Sequence, residues 1–228
     1  MVQVSRRTGF TGSALIDLLT RLIELDVRPS RQGFADRLGQ WLGWTDAIAL
    51  SGALGGGGAA AKEASGPATA AVEEAQCARV RSASAAAIAE DARAAALDPT
   101  PADFTPYRRR YIARQQAMVS SIEALRGRLR ETLAARSPTM ARLAEIDTVM
   151  AQVLDPQAHR LLATVPGLLE KHFRRLRKAN QPSDDTTDTQ PDTAWLDAFC
   201  KDMHSVWLAE LELRLQPVEG LLEALRGR

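Results

Sequence analysis

The sequence predicts an all-α protein in which an N-terminal helical hairpin is joined by a flexible linker to an elongated helical bundle. Three observations favour this fold class. Apolar residues recur every three or four positions over long stretches, which is the period of an α-helix. Aromatic residues make up only 5% of the chain, whereas β-strands are enriched in them. Residues 68–97 are dominated by alanine, the strongest helix former.

Residues 1–54 are expected to form the hairpin. The first helix carries an apolar stripe between Leu15 and Leu25, and a short turn ends at Pro29. The second helix follows Ser30, whose hydroxyl can cap a helix N-terminus, and ends at Gly52. Because so short a turn makes consecutive helices neighbours, the two helices are predicted to pack against each other.

The second helix of the hairpin contains the candidate partner-binding residues, which are Phe34, Trp41 and Trp44. Tryptophan is enriched at interfaces because its ring is large and apolar while its N–H can find a polar partner. The two tryptophans either flank one groove, or one is buried and the other exposed. The same helix contains three glycines, Gly33, Gly39 and Gly43. They either let a neighbouring helix come close, which is the favoured interpretation, or flatten a docking surface beside the tryptophans.

Residues 55–67 are rich in glycine and alanine and indicate a flexible linker, so residues 68–228 are expected to form the bundle. Its first helix, over residues 68–97, has few large apolar side chains and is expected to pack weakly. The longest helix begins at Asp103 or Thr105. Nine positions of its buried face recur at the helical period: Phe104, Tyr107, Tyr111, Gln115, Met118, Ile122, Leu125, Leu129 and Leu133.

Prolines are expected to shape the rest of the bundle. The chain is predicted to break or kink at Pro156 and to continue as a helix to about Lys178 with a bend at Pro166. The segment near residues 180–193 contains no large apolar residue and predicts a disordered loop. The last helix, kinked at Pro217, carries a stripe in steps of three and four: Trp195, Phe199, Met203, Trp207, Leu211, Leu215, Val218, Leu222 and Leu225.

No motif indicates catalysis, so we expect a protein that is not an enzyme and needs neither metal nor cofactor. Cys200 and His204 lie four residues apart, which suits two zinc ligands on one helix face, but no second such pair lies nearby. The chain has 2 cysteines, a number that fits a reducing compartment. No apolar run approaches the ~20 residues that a membrane helix needs. A cytoplasmic location is therefore expected.

Charge is distributed unevenly, although the formal net charge is +1. Residues 101–180 carry 15 basic and 7 acidic side chains, whereas residues 181–228 carry 4 basic and 10 acidic ones. The two parts are expected to attract each other. The basic clusters also supply candidate phosphate-contacting residues, which are Arg108, Arg109, Arg110, Arg174, Arg175 and Arg177. Such helix faces can bind nucleic acid, so a nucleic-acid-associated regulator is the alternative function.

Three segments carry a resemblance to a known family: RRTGFTGSALIDLLTRL at Arg6 to Leu22, QGFADRLGQWLGWTDAIALSGAL at Gln32 to Leu54 and, more loosely, LDPQAHRLLATVPGLLEKHFRRLR at Leu154 to Arg177. In these segments the chain resembles an uncharacterised proteobacterial family known as a domain of unknown function. Such families are often encoded near OmpA-like and MotA-like membrane proteins. The resemblance therefore implies a partner on the cytoplasmic side of a membrane complex and no catalytic residue. We expect an adaptor or scaffold that acts through protein–protein contacts, with self-association as a further expectation.

Overall fold

The computed structural model describes residues 14–24, 33–55, 67–97, 103–180 and 194–227. Every regular element within these ranges is an α-helix, which confirms the predicted all-α fold class. The predicted linker and the predicted disordered loop lie largely outside the described residues, so both stay predictions. The helices of the described ranges are α1 (Ala14–Ile23), α2 (Phe34–Trp41), α3 (Trp44–Gly55), α4 (Pro67–Leu97), α5 (Thr105–Arg136), α6 (Pro138–Leu162), α7 (Val165–Ala179) and α8 (Ala194–Arg226).

Helix α8 is the central helix of the bundle and packs against α1, α4, α5 and α7. With 33 residues and a rise of 1.5 Å per residue, it is about 50 Å long. All the residues of its predicted apolar stripe are buried, and the helix continues through Pro217. One side of this helix therefore forms the spine of the hydrophobic core.

Helix α5 confirms the second predicted stripe, because all nine predicted positions are buried. Four aromatic rings meet at its N-terminal end, with centroids between 5.1 and 6.4 Å apart: Phe104, Tyr107, Phe173 and Phe199. Most of these pairs are tilted or edge-to-face, the arrangement that aromatic quadrupoles favour. This aromatic cluster ties the start of α5 to α7 and α8.

The alanine-rich helix α4 packs more extensively than its composition predicts. It lies against α8 along much of its length and also against α5. Its buried residues include Cys77, Ile88 and Ala95. Helix axes approach more closely where the side chains between them are small, so contacts near the backbone replace those that large side chains would make. The expectation of weak packing is therefore wrong.

The N-terminal helices differ from the predicted hairpin. Helix α1 packs against α7 and α8, and α3 packs against α6, so the first two predicted helices do not form the expected pair. The predicted second helix is interrupted at Leu42 and Gly43, which separate α2 from α3. Arg175 of α7 holds the end of α1 by donating to the Leu22 carbonyl at 2.7 Å and pairing with the Glu24 carboxylate at 2.6 Å. The first helix thus belongs to the bundle, where α7 and α8 cover its apolar stripe.

The helix is interrupted just before Pro166 and is not broken at Pro156. Helix α6 continues through Pro156 and ends at Leu162. The chain turns at Ala163 and Thr164, after which α7 begins. Pro166 lies in the first turn of α7, where a backbone N–H has no acceptor within the helix and its absence is tolerated. The expected bend at Pro166 is therefore the start of a helix.

Candidate functional site

Helix α3 presents an apolar surface to solvent. Trp44, Ile48, Gly52 and Gly55 lie within one arc of about 80°, because an α-helix turns about 100° per residue. All four residues are exposed, with an exposed fraction of 81% for Trp44 and 56% for Ile48. We call these four residues the α3 strip. A surface helix ordinarily turns polar or charged side chains towards water, so this outer face is unusual.

The opposite side of α3 lies on α6. Ala53 is buried on this side, and Val149 and Val153 of α6 are buried although they lie outside the main core. Asp46, which is the one charged residue of α3, lies on the side away from the strip. Helix α3 therefore has an anchored inner face and an uncharged outer face that the described residues leave uncovered.

The structure separates the three predicted partner-binding residues. Trp44 belongs to the α3 strip, whereas Trp41 is half-buried at the end of α2. Phe34 begins α2, and its side chain lies outside what the structure describes. Of the two tryptophans, Trp44 is thus the one that is exposed to solvent.

Two aspartates that the sequence analysis missed set the position of Trp44. The Asp36 carboxylate accepts from the Gly33 N–H at 3.1 Å, and the Asp46 carboxylate accepts from the Gly43 N–H at 3.0 Å. A carboxylate in the first turn that accepts from the residue before a helix is one half of a capping box. The sequence signal for these two helix starts was a Gly-aromatic-x-Asp pattern that occurs twice, as GFAD and GWTD. The second copy starts α3 anew and places Trp44 at its first position.

The helical glycines have no packing partner of the predicted kind. A Cβ atom added at Gly39, or at Gly52 or Gly55 of α3, would meet no atom within 4 Å. One added at Gly33 or Gly43 would meet only side chains from the first turn of the helix that follows it. The favoured interpretation, in which glycines admit a neighbouring helix, is therefore not realised among the described residues. Glycine inside a helix costs up to about 1 kcal/mol relative to alanine, so the contacts of the described chain do not account for these residues.

The structure brings together three of the six predicted phosphate-contacting arginines. Arg108 of α5 and Arg174 and Arg177 of α7 line one groove of about 240 Å³. The other lining residues are Asp103, Phe104, Thr105, Glu170 and Phe173. We call this feature the arginine groove. Its wall combines three guanidinium groups, two carboxylates and two aromatic rings.

The other three predicted arginines lie elsewhere. The Arg175 guanidinium is engaged with the end of α1. This structural role conflicts with the prediction that Arg175 contacts phosphate. Arg109 is exposed and Arg110 half-buried on α5, and neither lines the groove. Consecutive residues of a helix point in directions about 100° apart, and for this reason a run of arginines in the sequence does not become a cluster in space.

The acidic groups of the arginine groove are already partly engaged. Asp103 accepts from the Thr105 N–H at 2.9 Å and from its hydroxyl at 2.8 Å, and these bonds lower the pKa of the Asp103 carboxyl. Glu170 accepts from Arg174 one helical turn later. The Asp103 side chain therefore caps the N-terminus of α5.

The expected attraction between the basic middle and the acidic C-terminal part is a minor feature of the described residues. Arg126 pairs with Asp147 of α6 at 2.6 Å, and acidic residues of α8 pair with an arginine of α4. His172 and Asp202, 2.7 Å apart, join the two parts directly. Basic side chains pair with acidic residues of the adjacent helix, because surface ion pairs are effective only when the two charges lie a short distance apart.

A buried polar network lies between α5 and α8, and the sequence analysis did not foresee it. Glu210 is 0% exposed and accepts from Tyr111 at 2.7 Å, from Gln115 at 3.0 Å and from Arg214 at 2.7 Å. Burial and the charge of Glu210 raise the pKa of Tyr111 well above its ordinary value. The sequence signal for this network was Glu210, which stands one residue before the core position Leu211 and four residues before Arg214. The residues that line the arginine groove include no member of this network.

The cysteines are placed in the core. Cys77 and Cys200 are both buried as free thiols. Burial, with a smaller effect of Asp197, raises the pKa of Cys200 to about 11, so this thiol is protonated at neutral pH. No group of three or more His, Cys, Asp or Glu side chains within the described ranges is arranged to hold a metal ion. In the same ranges no helix combines the length and apolarity of a membrane span.

Comparison with known proteins identifies the family. A family model described as "Protein of unknown function (DUF3348)" matches residues 1–227. No curated protein and no solved structure matches the chain. The resemblance seen in the sequence is thereby confirmed as membership of a family without an assigned function. Because the match extends over nearly the whole sequence, the chain belongs to the DUF3348 family.

Proposed function

We propose that this protein is a non-enzymatic helical adaptor that binds a helix of a partner protein through the α3 strip. The observation that carries the proposal is the uncovered, uncharged outer face of α3, with Trp44 exposed at its start. Exposed apolar patches on folded proteins mark interaction sites more often than chance allows. The anchored inner face of α3 would hold this surface in place.

The composition of the α3 strip suits a partner helix. Trp44 and Ile48 provide apolar area, and Gly52 and Gly55 leave room for a second backbone, since nothing lies within 4 Å of their missing Cβ atoms. Burying a tryptophan removes about 150–250 Å² from water. At about 25 cal/mol per Å² this is about 4–6 kcal/mol before the cost of association. The stability lost by helical glycine would thus be offset when the partner binds.

A membrane surface is a poorer match to this face than a protein. Helices that lie in the membrane interface carry lysine and arginine on their polar side, whereas α3 has no basic residue. The DUF3348 match does not identify the partner. The resemblance suggests that genes for membrane proteins lie nearby, so the first partner to test is a protein on the cytoplasmic side of a membrane complex. A second copy of this chain is the other occupant to distinguish.

One feature favours an adaptor over a cysteine-dependent enzyme, and another favours it over a nucleic-acid regulator. The Cys200 thiol is buried and protonated, and nucleophilic catalysis by cysteine requires the thiolate. Nucleic-acid regulation, the alternative function, is less well supported by the geometry, since the six predicted arginines do not form one surface.

The test is capture of the partner by tagged protein from cells that naturally produce it. We expect Trp44→Ala and Gly52→Leu to abolish capture of proteins that the wild type retains, because one removes apolar area and the other fills the space for a backbone. Leu97→Ala is the matched control, since Leu97 is 85% exposed on α4 and lies outside the strip. Equal capture by all four proteins would contradict the proposal. Light scattering of the purified chain distinguishes self-association.

A further inference from the structure

We propose that the arginine groove is a binding site for a single phosphate group, either a monoester or free phosphate. The site is separate from the α3 strip, so it does not depend on the adaptor proposal. Glu170, Phe173, Arg174 and Arg177 recur at helical spacing and lie on one face of α7. The start of α5 supplies the opposite wall with Phe104 and Arg108. The groove is thus built by two helices far apart in the sequence.

The floor of the groove is apolar. The rings of Phe104 and Phe173 are buried, with centroids 5.6 Å apart. A charge that lies against such a floor is less well screened by water than one on an open helix face. The aromatic cluster beneath also keeps α5 and α7 in a fixed relation. The two helices that carry the three arginines are therefore held together by the core.

The donors needed for an anion are present. The Arg108 side chain makes no hydrogen bond or ion pair with any residue, as far as the described part of the chain shows. Arg174 pairs with Glu170 as an exposed pair one helical turn apart, and such pairs are weak. A guanidinium has five N–H donors, so one bond to Glu170 leaves others for a ligand. Asp103 already caps the start of α5, so the proposed binding relies on the arginines and not on the helix end.

The size and charge of the groove define the ligand class. A volume of about 240 Å³ lies below the range of roughly 300–1,000 Å³ typical of pockets for drug-sized molecules. Guanidinium groups bind phosphate oxygens through paired N–H donors, and three of them surround this space. The two carboxylates that line the groove, Asp103 beside α5 and Glu170 on α7, would repel further phosphates. One phosphate group therefore fits the groove better than an extended nucleic acid.

The experiment is a calorimetric titration of the full chain in phosphate-free buffer with inorganic phosphate, with phosphoserine and with a short DNA duplex. Arg108→Gln removes a groove arginine, and Arg109→Gln removes the same charge from the neighbouring exposed position. We expect the first change to weaken phosphate binding about tenfold and the second less than twofold. Glu170→Gln should tighten binding at least about twofold, because it removes a competing carboxylate. Circular dichroism verifies that each variant is folded.

The outcomes separate the two sources of the phosphate group from the alternatives. Tighter binding of phosphoserine than of inorganic phosphate would assign the site to an ester, and equal binding would assign it to free phosphate. No saturable heat up to about 50 mM phosphate, or equal effects of Arg108→Gln and Arg109→Gln, would overturn the proposal. Tight duplex binding that both arginine changes weaken equally would overturn it in favour of an extended nucleic-acid surface.

Discussion

Removal of Arg214 tests whether the buried network between α5 and α8 holds the two helices together. Arg214 donates to Glu210 through Nε at 2.8 Å and through Nη2 at 2.7 Å. The side chains are 14% and 0% exposed. Breaking a buried ion pair by removing one partner costs about 3–5 kcal/mol, because the other charge is left uncompensated. The donors Tyr111 and Gln115 remain, so we expect Arg214→Met to cost about 3 kcal/mol.

The chain contains a matched control for this prediction. Glu170 and Arg174 have the same residue types and the same spacing as Glu210 and Arg214, but their side chains are 27% and 74% exposed. Exposed pairs of this spacing contribute about 0.3–0.5 kcal/mol, so Arg174→Met should hardly change stability. At about 2–4 °C per kcal/mol for a chain of this size, Arg214→Met should lower the melting temperature by about 6–12 °C.

The assay is urea and thermal unfolding of both variants at neutral pH, followed by circular dichroism. Equal destabilisation by the two substitutions would refute the reasoning that burial distinguishes the two pairs.

Three further predictions concern single residues. Gly39→Ala and Gly52→Ala should each stabilise the isolated protein by about 0.5–1 kcal/mol in urea unfolding, and a loss of stability would show that contacts require the glycines. Tyr111→Phe should cost about 1–2 kcal/mol by thermal unfolding, because Glu210 loses a buried donor; no change would show that the bond is unimportant. The raised pKa of Cys200, about 11 against an ordinary 9.0, means that the folded protein holds this proton more tightly than the unfolded chain. Its contribution to stability should be complete below pH 9 and be lost as pH rises towards 11, and a thiol reagent at pH 8 should modify Cys200 only on unfolding.

Two long helices were predictable because their buried faces are made of large apolar residues at helical spacing. The stripes of α5 and α8 are buried at every predicted position, and on α5 this includes the polar residue Gln115. Such faces bury enough area that tertiary context does not alter them. The helical structure of α4 was predicted, but its packing was not. Small side chains suggest little buried area, and they do not reveal how closely the helix backbones approach.

The N-terminal region was less predictable, because local signals compete there. Glycine at position 43 was assigned to a helix interior, whereas the Asp46 carboxylate caps its N–H and starts a new helix. The pairing of α1 with α7 and α8 depends on long-range contacts such as Arg175 with Glu24. The arginine groove likewise joins residues of two helices, so clustering in sequence identified its members only in part.

The measurement that tests the adaptor account most directly is site-specific photo-crosslinking in cells that naturally produce the protein. A photoreactive residue replaces Ile48 in the α3 strip or, as the control, Leu97 on α4. The account predicts adducts with a different protein from position 48, none of these adducts from position 97, and their loss when Gly52→Leu is added. The same adducts from both positions, no adduct from position 48, or an adduct only with a second copy of the chain would contradict it.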